Sequence, residues 1–81
     1  MVIKIRIFNG AGKIIRRRTT SGDKWRKIYS ILASAAAVKW YIRVDYGYNE
    51  NVFGKRVMFK NEAVCHKLSE AKKTLSIFME K

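Results

Sequence analysis

Proline is absent from this chain, and only five glycines interrupt its 81 residues. Those two residues are the main punctuation between regular elements, so their scarcity argues against long irregular loops. There is a single cysteine, Cys65. It can form neither an intramolecular disulfide nor a zinc cluster, and it reads as a small apolar helical residue in a reducing compartment. Long hydrophobic runs are also missing. The longest uncharged stretch, residues 28–38, is too short to span a bilayer. The first residues alternate isoleucine with lysine and arginine, unlike the apolar core of a signal peptide. A protein that stays in the cytoplasm of its cell or host, away from the membrane, is expected.

Acidic residues are few as well, six against eighteen basic ones, which leaves a net charge of +12. The imbalance is uneven: residues 1–27 carry +8, residues 28–54 are neutral and residues 55–81 carry +4. Such density destabilises a compact state by self-repulsion, and an acidic partner or a need for solubility is the usual reason for it. A merely solvated cationic surface accounts for it less well, because the acids needed for ion-pair networks are missing. With 48 % apolar residues the chain is not a disordered polycation. Its length allows one hydrophobic core, hence a single basic domain over residues 1–81.

Periodicity predicts the elements. Ile3, Ile5 and Ile7 alternate with Lys4 and Arg6, a half-buried strand over residues 2–8. Asn9-Gly10 marks a two- or four-residue hairpin turn, with a second strand over 13–20. Either turn places Ile14 on the isoleucine face and Ile15 on the other. Thr19, Thr20 and Ser21 offer N-caps to a helix over about 23–38, with Asp23 in its first turn. Its apolar stripe is Trp25, Ile28, Tyr29, Leu32 and Ala36. The small side chains of residues 33–37 are expected to let it approach the sheet closely.

A third strand from Lys39 puts Trp40, Ile42, Val44, Tyr46 and Tyr48 on one face and Tyr41, Arg43 and Asp45 on the other. A fourth, over 52–60, opposes Phe53, Val57 and Phe59 to Arg56 and Met58, with Gly54 as a bulge. Asn61 caps a last helix over 61–79, buried along Val64, Leu68, Ala71, Leu75, Phe78 and Met79. The class is therefore α+β: ββα–ββα, a four-stranded, mostly antiparallel sheet with both helices packed on one face. The other sheet face would be open to solvent.

No catalytic constellation stands out. The one histidine, His66, is read as a surface helical residue. It would diverge from Cys65 by about 100° on a helix, so the two make no nucleophile–base pair. Glu62 and His66 are four residues apart, but two ligands make no metal site. Residues 10–13 lack the rest of a phosphate-loop pattern and lead into a strand, so they are read as a turn. The chain is expected to be non-catalytic and without cofactor or metal.

The basic residues carry more. Hairpin pairing would gather Lys4, Arg6, Arg17, Tyr41, Arg43 and Arg56 on one exposed surface, while the consecutive Arg16, Arg17 and Arg18 must divide between both faces. Lys13, Lys24, Arg26 and Lys27 would extend that surface. Arginine forks match phosphate geometry and an interleaved tyrosine can stack on a base, which points to nucleic acid held through its backbone. Edge protection by charge is the plainer explanation of the arginine triplet, but two arginines would suffice for that, and the flanking Lys13, Lys24, Arg26 and Lys27 go well past it. The rival function is a small phage or mobile-element accessory protein that binds an acidic host protein. Clustering of Ile15, Ile31, Tyr41 and Met58 on outward faces would mark such an interface, or a homodimer. Membrane-surface binding ranks last, because the apolar stripe of the first helix is needed for the core.

Overall fold

A computed structural model describes residues 1–50, 53–54 and 56–80, with the backbone alone described at 48–50 and 56–58. Strands β1 (Val2–Phe8), β2 (Ile14–Ser21), β3 (Lys39–Glu50) and β4 (Arg56–Cys65) and helices α1 (Trp25–Tyr29) and α2 (Leu68–Met79) follow one another along the chain in the order β1, β2, α1, β3, β4, α2. The class is α+β. Its sheet is antiparallel throughout, with four strands in the order β2-β1-β3-β4.

The alternation of β1 sets the core. Ile3, Ile5 and Ile7 are fully buried and face Val44, Ile42 and Trp40 across the β1–β3 ladder. Ile28, Leu32, Ala71 and Leu75 from the helical segments join them in one cluster. Full burial of such an aliphatic side chain is worth about 1.5–3 kcal/mol, so this cluster dominates stability.

The first turn is longer than either expected form. Asn9 to Lys13 form the connection, and the Asn9 Oδ1 accepts hydrogen bonds from the amides of Ala11 and Lys13, both at 3.0 Å. Gly12 supplies the positive φ, at 78°. A register shift follows, with Ile7 opposite Arg16 but Phe8 opposite Ile14. Ile14 is thereby taken off the isoleucine face and is exposed.

The first helix is much shorter than its periodicity implied. A 3-10 turn over Gly22–Lys24 leads into α1, and a second over Ser30–Leu32 ends it at Ala33, whose backbone is extended. Trp25, Ile28, Tyr29 and Leu32 do meet the core, but Ala36 is exposed. Alanines bury too little to hold a helix here, and the chain is drawn instead into pairing with β1 through Val38 N–H to Phe8 O at 2.9 Å. Thr19, Thr20 and Ser21 belong to β2, and Ser21 makes no side-chain cap bond.

The end of the segment is fixed from β3, where the buried Trp40 indole donates to the Leu32 carbonyl at 2.9 Å. Trp40→Phe should therefore cost about 1–3 kcal/mol, because it leaves a buried acceptor without its donor. A urea melt reads this directly, and an unshifted midpoint would remove the bond from the account.

The last helix also begins later than expected. β4 runs to Cys65, since its pairing with β3 continues through Asn61, Glu62, Ala63, Val64 and Cys65 opposite Val44 to Trp40. That ladder outweighs the capping preference of Asn61. Val64 is consequently exposed, Cys65 is buried at the strand end, and His66 lies in the turn before α2. Tyr46 ties α2 down by donating to the Phe78 carbonyl at 2.7 Å. Beyond Asp45 and Lys60 the β3–β4 hairpin continues past the end of β1 as two strands alone, after a register shift between Asp45 and Gly47. That shift, and not Gly54, is the bulge. Phe53 lies in the turn between the strands and is 82 % exposed. Among the described residues no helix is long and apolar enough to cross a membrane.

Candidate nucleic-acid interface

Residues that alternate with the core isoleucines make up a polar face on β1, and the register extends it across the sheet. One row reads Arg17, Arg6, Tyr41, Val64 from β2 to β4, and the next reads Thr19, Lys4, Arg43, Glu62. Phe8 and Lys39 stand beside the first row; Asp45 and Lys60 stand beside the second. This face gathers five of the residues singled out from the sequence: Lys4, Arg6, Arg17, Tyr41 and Arg43.

Its electrostatics divide along the rows. Around Lys4 and Arg43 the charge is largely met within the protein. Arg43 Nε lies 2.7 Å from Asp45 Oδ1, and Lys4 Nζ lies 3.9 Å from Asp45 Oδ2. Lys60 Nζ lies 3.4 Å from Glu62 Oε1, and the Tyr41 hydroxyl donates to Glu62 Oε2. The first row differs. Arg6 lies over the Tyr41 ring, 5.6 Å from its centroid, and Lys39 lies over Phe8 at 4.5 Å. Among the described residues Arg6, Arg17 and Lys39 have no carboxylate within ion-pair distance. Arg6 and Arg17 are direct cross-strand neighbours. Like charges so placed destabilise a sheet, and an anion between them would reverse the sign of that term.

The Tyr41–Glu62 bond has a measurable consequence. By accepting from the hydroxyl, Glu62 raises the Tyr41 pKa above its ordinary 10.0, with desolvation assisting. The same bond, and then Lys60, lowers that of Glu62. A raised tyrosine pKa contributes stability that is complete below the ordinary value and is lost as pH rises through the elevated one. The lowered Glu62 pKa contributes above the ordinary glutamate range and is lost as pH falls through the lowered value. Glu62→Gln should move the Tyr41 titration, followed by ring NMR resonances, back down towards 10.0. An unmoved curve would mean that this bond does not form in solution.

No match to this chain is found among protein-family models, curated proteins or solved structures.

Of the remaining candidates, those with described side chains do not join the polar face. Arg16 and Arg18 stand opposite Ile7 and Ile5, on the isoleucine face of β2. Lys27 borders a cavity with Arg18, Thr20, Ile28 and Ile31, so it extends a different surface. Arg26 lies over the Trp25 ring at 5.5 Å, Lys24 closes a 3-10 turn, and Lys13 is in the first connection. Arg56 pairs with Glu50 through the backbone, and its side chain lies outside the described residues, as does that of Met58. Of the expected outward cluster, Ile31 packs against the core, Ile15 is exposed on β2 and Tyr41 stands on the polar face. Sequence reasoning missed Phe8, Lys39 and Lys60 as members of the face. Parity alone places Phe8 with Lys4 and Arg6 along β1, Lys39 with Tyr41 and Arg43 along β3, and Lys60 with Arg56 along the expected fourth strand. Glu62 was hidden by the expected helix.

Proposed function

We propose that this chain is a small, non-catalytic nucleic-acid-binding protein that holds the phosphate backbone on the polar face of its sheet and on the arginine-bearing β1–β2 hairpin. The reading takes α1 and α2 to cover the isoleucine face together, as in a ββα–ββα arrangement, leaving the opposite face to the ligand. The observation that carries it is the row Arg17, Arg6, Tyr41. Two arginines are direct cross-strand neighbours there with no carboxylate of the described residues within ion-pair distance, and one of them lies over an aromatic ring.

Phosphates would bridge Arg6 and Arg17, where bidentate forks suit a tetrahedral anion. Bases would stack on the guanidinium plane of Arg6 or against Phe8 and Tyr41, a sequence-tolerant mode typical of single strands. Lys4 and Arg43, already near Asp45, would contribute longer-range attraction. The functional test is a titration of labelled single- and double-stranded DNA and RNA at two salt concentrations. With about four phosphates neutralised, log K should fall with log salt at a slope of roughly −3 to −4. Binding that is absent at low salt would sink the proposal.

A further inference from the structure

β2 is the outer strand of the sheet and, among the described residues, pairs with β1 alone. It is exposed along its length apart from half-buried Thr20, and it carries three arginines and no acid. An outer strand presents a row of unpaired amide and carbonyl groups, and added extended segments dock by completing that ladder. What distinguishes this edge is the cavity next to it. Arg18, Thr20, Lys27, Ile28 and Ile31 line a half-open cavity of about 220 Å³ on the isoleucine side of β2, two of them apolar and two cationic. A strand paired to β2 would turn every second side chain towards that side. A glutamate there would lay its methylenes on Ile28 and Ile31 and bring its carboxylate to Arg18 and Lys27.

We propose that the free edge of β2 binds an acidic, extended peptide segment of a partner protein as a fifth strand, with alternate side chains seated in the Arg18–Lys27 cavity. A second copy of the chain is the wrong occupant. Antiparallel self-pairing would set one arginine triplet against another, and like charges across a ladder repel. The same triplet attracts an acidic strand. A nucleic-acid backbone is also the wrong occupant, since the edge carbonyls require donors that phosphodiesters lack. The proposal goes beyond the nucleic-acid reading; it shares the β1–β2 hairpin with it but uses the edge and the isoleucine side of β2 instead of the polar face, so the two fail in different experiments.

The test uses a capped, fluorescent octapeptide of alternating Glu and Val, and two versions of it N-methylated at one or the other set of alternate amides. Unmodified peptide should bind the full chain. One methylated version should bind at least tenfold more weakly, because it loses several backbone hydrogen bonds, while the other should bind nearly as the parent does. Lys27→Glu and, separately, Arg18→Glu should also weaken the parent peptide about tenfold, from loss of hydrogen bonds to a charged group. Arg6→Ala, on the polar face, should not. Circular dichroism confirms that each variant is folded. Failure of the parent peptide to bind, or equal binding of both methylated versions, would overturn the proposal. So would a dimer by sedimentation, or an oligonucleotide that needs Lys27 and not Arg6.

Discussion

Replacing Lys4, Arg6 and Arg17 together with threonine is expected to flatten the salt dependence of nucleic-acid binding by about two to three units of slope, and to weaken binding on the order of 10- to 100-fold at low salt. Threonine keeps the strand preference of both positions in β1 and the one in β2. The unusual part of the expectation is the sign of the stability change. Arg6 and Arg17 face each other across the β1–β2 ladder with no carboxylate of the described residues in ion-pair range, so Arg17→Thr alone should stabilise the free protein by up to about 1 kcal/mol while it weakens binding. Arg16→Thr, one residue away but on the isoleucine face, should change nucleic-acid binding much less. Equal losses at Arg16 and Arg17 would mean that diffuse charge, and not this face, holds the ligand.

The second large effect is expected in the core. Ile5 is fully buried at the centre of β1, between Ile42 on β3 and the Arg18 position on β2. Ile5→Ala should cost about 2–5 kcal/mol, through lost burial and the cavity left behind. For a domain of this size that corresponds to a fall in Tm of roughly 8–40 °C. Ile15→Ala, at an exposed isoleucine of β2, should stay within about 0.5 kcal/mol. A scanning thermal melt separates the two, and similar losses at both would show that the edge of β2 is covered in solution. The core variant is also a control for binding assays, because it should lose stability without losing any cationic side chain.

Strand content and the division of β1 into two faces were legible in the sequence, because a period of two over Ile3, Ile5 and Ile7 has few alternative explanations. Helix boundaries were not. Residues 33–37 have high helical propensity, but their side chains bury little, and the Val38–Phe8 pairing decided the chain path. Asn61 resembles a helix cap in isolation. Only the β3 partner strand, which continues opposite it, makes it a strand residue. The same non-local information governs the site. The sequence brought Lys4, Arg6 and Arg17 onto one surface by parity, and Tyr41 and Arg43 followed once β3 lay beside β1. Strand order was the missing fact, since it sets Arg6 between Arg17 and Tyr41 and leaves Arg16 and Arg18 with Lys27 on the other side. Glu62 shows the remaining limit: read as helical, it could not be seen as the partner of Tyr41.

The most direct test of the central claim is NMR mapping of the folded protein titrated with a short single-stranded oligonucleotide at low salt, following backbone amides and arginine Nε–H groups. Binding on the polar face should shift Lys4, Arg6, Arg17, Lys39 and Tyr41 together, with the Arg6 and Arg17 side-chain signals moving most. The amides around Ile28, Leu32 and Leu75 should stay in place. Shifts concentrated on Lys27, Arg18 and α1, or no shifts at all, would contradict the assignment of the sheet face as the nucleic-acid interface.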